Sequence, residues 1–239
     1  MKLLVLSVSL VALLAVFRVV VGRYTRTRWR TDLAYWFVMP LLGKPLLTAV
    51  LVLGALPLLL VRGPTGPAAA LPLPVQALLV VVITDFLNYW LHRLHHGALW
   101  RTHAVHHSSE DLDWLSSVRV HPLNTLCQRL PAAMLLLIAG FDLASLGGAA
   151  GFLALYGLLL HARVDWDFGP LRRVIASPAF HRWHHSSERD CNYAGLLPLW
   201  DLLFGTFYLP ERAPTRFGVR GEPLPEGLLA QLAWPFTKR

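Results

Sequence analysis

Three stretches of the chain carry histidine at one spacing: HRLHH from His92, HAVHH from His103 and HRWHH from His181. Together they take nine of the eleven histidines. On a helix, positions i, i+3 and i+4 share a face. His92, His95 and His96 would therefore project together, as would His103, His106 and His107, and again His181, His184 and His185. A lone histidine is usually a satisfied core or surface residue, but crowded imidazoles gain nothing from one another unless a cation lies between them. Neutral imidazole binds iron, zinc, copper and nickel, so a metal is the natural occupant. A single tetrahedral zinc would use four ligands and leave several histidines idle. Two ions with about four or five ligands each would use nearly all of them, so a dinuclear site is expected. Cysteine is absent from these stretches and no CxxCH sequence occurs, which argues against a closed structural zinc site and covalent haem. An all-nitrogen shell with room for oxygen favours iron in redox chemistry, while composition alone leaves zinc and manganese open.

A ligating imidazole needs its second ring nitrogen held, usually by a carboxylate or a carbonyl. Asp85 and Asn88 precede His92 by seven and four residues, Glu110 and Asp111 follow His107 by three and four, and Glu188 follows His185 by three. Taken together they are the expected partners. Any one of them is as readily a solvated polar residue at a helix end.

The elements that must position these histidines belong in a membrane. The 239 residues are 55% hydrophobic and 15% charged, with a mean hydropathy of +0.48. An all-α integral membrane protein is expected, with about three spans, a helical hairpin and a helical, histidine-rich cap. A bilayer core takes about 20 apolar residues to cross. Residues 3–22, 44–61 and 71–90 meet that length. Residues 131–160 are apolar except for Asp142 and Ser145. This predicts a hairpin with arms near 123–139 and 146–161, short enough for shallow re-entrant helices as well. The first span reads as a retained anchor, since no small-residue cleavage site follows it. Arg23, Arg26, Arg28 and Arg30 place the next connection in the cytoplasm. Residues 62–67 then form an external turn, and all eleven histidines fall on the cytoplasmic side. The net charge of +8 fits arginines that orient spans and meet anionic headgroups, and no nucleic-acid motif is present. Cys127 and Cys191 are too few for a disulfide framework and read as thiols. The organisation expected is membrane anchor helices over 1–70, a histidine-box catalytic domain over 71–210 and a C-terminal cytoplasmic tail over 211–239.

DFLNYWLHRLHH, LWRTHAVHHSSED, RVHPLN, HARVDWDFG and HRWHHSSERDCNYAGLLPLWDLLFGTFYLP together resemble the fatty acid hydroxylase and sterol desaturase superfamily of membrane di-iron oxygenases. The resemblance covers about residues 80–210. It implies that the first box is HxxxH, formed by His92 and His96, which leaves His95 as a neighbour or a partner of a ligand. His103, His106, His107, His181, His184 and His185 match the two HxxHH boxes, and His161 occupies the place of a ninth ligand. His121 also matches a family position, as a metal ligand, a residue that orients one, or a cap on the hairpin before Pro122. The family commonly has an acid where this chain has Asn124.

The resemblance further implies two iron ions with O2 as co-substrate. The reaction would be hydroxylation or desaturation at an unactivated C–H bond of a fatty-acyl, sterol or other isoprenoid lipid. No GxGxxG fingerprint, cysteine cluster or fused haem domain is present, so a separate electron donor is implied: a ferredoxin, cytochrome or reductase. A bacterial inner membrane is the expected location. Two other classes make different demands on the sequence. A histidine-rich metal transporter would carry ionisable ligands inside its spans, and a membrane zinc hydrolase would need a placed general base such as HExxH, which is absent.

Overall fold

A computed structural model describes residues 29–62, 66–221 and 223–237. The expected span over residues 3–22, together with Arg23, Arg26 and Arg28, lies outside the described residues. Helix α1 (Trp29–Val38) continues through one π-helical turn, Met39–Gly43, into α2 (Lys44–Arg62). The turn coincides with Pro40, which has no N–H to give to the helical ladder. Then follow α3 (Leu73–His95), α4 (Trp100–His107), α5 (Pro122–Ile138), α6 (Leu143–Leu160), α7 (Pro178–His184), α8 (Leu199–Leu203) and α9 (Leu228–Ala233). Among the described residues the only β pairing is one isolated bridge, Ser186 with Phe217.

Three helical segments are long and apolar enough to cross a membrane: Trp29–Gly54, Leu73–His95 and Leu143–Leu160. Only 6%, 22% and 17% of their apolar windows is buried within the protein, so their leucines face outward as in lipid. The apolar stretch expected over residues 44–61 thus belongs to a helix that starts at Trp29, inside the expected cytoplasmic connection. The arginines mark this stretch as a connection, but the helix already includes Arg30 and the acid Asp32. Its Oδ1 accepts from Nε of Arg119 at 2.7 Å, with Arg119 fully buried, so the helix carries the acid without exposing it to lipid. The expected hairpin is present as α5 and α6, joined at Asp142, whose side chain caps α6 by accepting from Ala144 N at 2.7 Å.

α5 packs against both α2 and α3, and α6 packs against α3. The α2–α3 turn and the α5–α6 turn meet at one end of this bundle, where Ala68 N donates to Ala139 O at 3.0 Å. Gly66 and Gly140 touch backbone to backbone there. A Cβ at Gly66 would stand 2.3 Å from Ala139 O, and Gly140 has φ +82°, so neither position admits a larger residue. Gln76 accepts from Asp142 N at 2.7 Å and ties the same turns together. The core at this end is Ala68, Val80, Leu136, Phe141 and Ala149.

The other end carries the cap: α4, α7, α8, α9 and the loops between them. Residues 211–237 pack back onto it, with Leu224 and Gln231 buried and Arg101 Nη2 donating to Trp234 O at 2.8 Å. A second core of Tyr35, Ala104, Val105 and Leu224 joins α1, α4 and this C-terminal segment.

Candidate metal centre

Eleven histidines gather at the cap end, and nine of them form two adjoining groups. His92, His96, His103, His107 and His184 make one; His106, His161, His181 and His185 make the other. Within each group the potential ligand atoms all lie within 4.8 Å of one another. The expectation that each box would form its own cluster is corrected here. α4 sends His103 and His107 to the first group and His106 to the second, while His184 joins the first and His181 and His185 the second. In all three boxes the residues at i and i+4 stay together, and in the two boxes that start at His103 and His181 the residue at i+3, rotated from the other two, reaches the neighbouring group. The groups abut, with the rings of His107 and His185 stacked at 4.4 Å between centroids.

Local structure fixes each arm. α3 delivers His92 in its last turn and His96 at its C-cap. His161 is the C-cap of α6. α7 begins at Pro178 after Ser177, whose Oγ accepts from Phe180 N at 3.1 Å.

The far ring nitrogens are held mainly by carbonyls. Nδ1 of His92 donates to Tyr193 O at 2.8 Å, His106 to Arg119 O at 3.2 Å, His161 to Gly157 O at 2.7 Å and His184 to Cys191 O at 3.0 Å. Nδ1 of His103 donates to Asn124 Oδ1 at 2.8 Å. A neutral imidazole with its proton on Nδ1 has a bare lone pair on Nε2. In the first group, Nε2 of His92 and Nε2 of His103 face each other at 3.1 Å. Nε2 of His184 is buried with no hydrogen-bond partner. In the second, Nε2 of His161 and of His181 are 3.3 Å apart. Burial keeps the rings neutral. It pushes His103, His107, His181, His184 and His185 well below the usual histidine range. Burial and the neighbouring His161 lower His106 to about 3, and burial lowers His161 to about 4. Opposed lone pairs on neutral, buried rings repel one another unless a cation lies between them, so the donor set fits metal ions.

His95 and His121 belong to neither group. His95 is fully buried, with Nδ1 donating to Leu91 O at 2.7 Å. His121 caps α5: Nδ1 accepts from Leu123 N at 3.1 Å and Nε2 donates to Leu232 O at 3.1 Å, so both nitrogens are occupied.

The carboxylates expected beside the histidines are engaged elsewhere. Asp85 accepts from Leu196 N and Leu197 N at 2.8 Å each and from Trp200 Nε1 at 3.0 Å. Asp201 likewise accepts from Tyr193 N at 2.8 Å and Ala194 N at 2.9 Å. These two acids hold the 193–197 loop that presents the Tyr193 carbonyl to His92, so Asp85 acts on the loop and touches no ring. Glu188 binds Thr215 N at 2.7 Å and Arg212 Nη2 at 2.9 Å, which clamps the C-terminal segment. Glu110 and Asp111 lie in the loop after α4 and join neither group. Asn88 Oδ1 is buried without a hydrogen-bond partner. Asn124 and the four carbonyls escaped the sequence reading as partners. The amide oxygen of Asn124 supplies the acceptor that an acid at this position would offer.

A cleft of about 200 Å³ leads from the solvent face to His96, His107 and His184, and is bordered by Trp100, Asp190 and Arg220.

Residues 77–206 match the family model described as fatty acid hydroxylase. The chain belongs to the fatty acid hydroxylase family. It is 38% identical over 174 residues to the ornithine lipid hydroxylase OlsE of Rhizobium tropici, covering 70% of this chain and 52% of that protein. It is 35% identical over 128 residues to human (Homo sapiens) alkylglycerol monooxygenase, covering 52% of this chain and 28% of the other. The Delta(7)-sterol 5(6)-desaturase erg3B of Aspergillus fumigatus is 32% identical over 151 residues, covering 62% and 44%. The chain thus spans about half or less of the length of these relatives. No solved structure matches it. The matched region runs from α3 through α8 and contains every histidine of both groups.

Proposed function

We propose that the protein is a membrane di-iron oxidoreductase that uses O2 to hydroxylate or desaturate an unactivated C–H bond of a lipid. The observation that carries this is the convergence of bare Nε2 lone pairs in two adjoining groups within a fatty acid hydroxylase region. The nine histidines of those groups hold two iron ions in this reading, five ligands on one and four on the other. Iron supplies the reduction of O2 and the oxidation of the C–H bond when bound. The chain supplies the rest. The Tyr193, Arg119, Gly157 and Cys191 carbonyls and the Asn124 amide fix the tautomer of five rings, so that Nε2 points inward. The acids Asp85 and Asp201 keep the Tyr193 loop in place, and the outward leucines of the spans let an alkyl chain approach without leaving lipid.

The substrate is a fatty-acyl, sterol or other isoprenoid lipid, and an ornithine lipid is the first to test because it names the function of one relative. Electrons come from a separate ferredoxin, cytochrome or reductase. The arginines over residues 23–30 support a histidine end on the cytoplasmic side of a bacterial inner membrane. The division proposed is an anchor over 1–70, a catalytic unit over 71–210 and a C-terminal cytoplasmic tail over 211–239.

The test is elemental analysis and iron spectroscopy of protein from iron-replete cells, followed by lipid analysis with and without O2. Two coupled irons and an O2-dependent change in a lipid are expected. Failure to take up iron, with metal flux in vesicles or O2-independent hydrolysis instead, would assign the chain to transport or to zinc hydrolysis.

A further inference from the structure

His96 differs from the other members of its group. Both of its ring nitrogens are buried without a hydrogen-bond partner. Its Nδ1 faces Oδ1 of Asp190 at 3.8 Å. Asp190 is itself held: Arg220 donates from Nη1 to its Oδ2 at 2.9 Å and from Nε to Ser187 O at 2.5 Å. Arg220 stands in the C-terminal segment, beyond the matched residues 77–206, and together with Asp190 borders the cleft that opens on His96. The Asp190 side chain is 57% exposed, so a small rotation brings its carboxylate into hydrogen-bond range without disturbing the core.

We propose that Asp190 is a positioning residue for His96 and that Arg220 is its latch, so that the C-terminal segment completes the five-histidine group. The carboxylate accepts the Nδ1 proton of His96, which turns a bare Nε2 toward the other four histidines and makes it a stronger donor to a metal. Arg220 holds the carboxylate on the cleft wall. This rests on the histidines being metal ligands. It adds an anionic partner to one group, whereas the far nitrogens of His106 and His161 in the other meet neutral carbonyls.

The experiment is a chelator titration of the full iron-loaded protein in detergent, counting irons retained per chain and following each iron by Mössbauer spectroscopy. Asp190→Ala is expected to release one iron at about 10- to 100-fold lower chelator and to alter the signal of one iron only. Arg220→Ala shifts the same iron in the same direction by less. Asp190→Glu, whose extra methylene closes the remaining distance, restores wild-type retention. Arg212→Ala, which removes one contact of Glu188 and leaves its bond to Thr215 and the Arg220–Asp190 pair in place, keeps both irons as in the wild type. Unaltered retention and spectrum in Asp190→Ala overturn the proposal, as does parallel release of both irons, which marks a structural effect. A wild-type chain that never holds two irons overturns the metal-centre reading and this inference with it.

Discussion

The two histidine groups share residue type, helices and even sequence motifs, yet their surroundings differ. The five-histidine group meets the solvent cleft through His96, His107 and His184 and has Asp190 close to one ring. The four-histidine group sits between α4, the end of α6 and α7, with carbonyls opposite His106 and His161. The difference teaches that ligand identity alone does not set the character of a site. Carbonyls stand opposite His92 and His184 in the first group as they do opposite His106 and His161 in the second, so the contrast lies in the opening to solvent and in the carboxylate of Asp190, 3.8 Å from His96 Nδ1.

The comparison is broken most severely by removing a ligand from one side. His184→Ala and His106→Ala each abolish O2-dependent product formation, while each releases the metal of its own group first; metal analysis beside product assay checks both. Asn124→Leu removes the acceptor for His103 Nδ1 alone, so it weakens metal retention in the five-histidine group by about 10- to 100-fold and spares the other, as a chelator titration will measure. Asp85→Ala strands one buried donor, Leu196 N, and two half-buried ones, Leu197 N and Trp200 Nε1. The expected cost is about 2–4 kcal/mol, read from thermal unfolding in detergent, and metal loss follows only as the Tyr193 loop loosens. The smallest effect is a pH dependence at Glu188. The Thr215 N–H and then the Arg212 guanidinium hold its carboxyl down to about 2. Its folded pKa is depressed, so its contribution is complete above the ordinary glutamate range and fades as pH falls toward 2. Proteolysis of residues 211–237 should quicken slightly over that window in the wild type, and Glu188→Gln should remove the dependence.

The histidine boxes announced the chemistry because imidazoles at helical spacing have few other uses, and the hairpin was legible from one polar break at Asp142. The grouping was not, since His106 and His107 are adjacent in sequence yet belong to different groups. That partition depends on where α6 ends and α7 begins. Carboxylates at helical spacing stand out in a sequence as partners for the rings, but a backbone carbonyl accepts as well and leaves no trace in residue type. Tyr193 and Cys191 therefore act through atoms that every residue has. The start of α1 at Trp29 is not legible either, because Arg119, the partner that lets the helix bury Asp32, is 87 residues away. The packing of residues 211–237 was equally hidden, since it rests on scattered single contacts such as Leu224, Gln231 and Arg220 with no periodic pattern.

The contact between Gly66 and Gly140 works as a zero mark. From it two helical rulers run in parallel, Leu73 to His92 along α3 and Leu143 to His161 along α6. At 1.5 Å per residue both measure about 28 Å, close to the thickness of a bilayer's hydrocarbon core. The height of the histidines above the far end of the bundle is thereby gauged by two helices at once. One residue deleted from either ruler would turn its histidine by about 100° and misalign the scale, whatever the cap itself preserved.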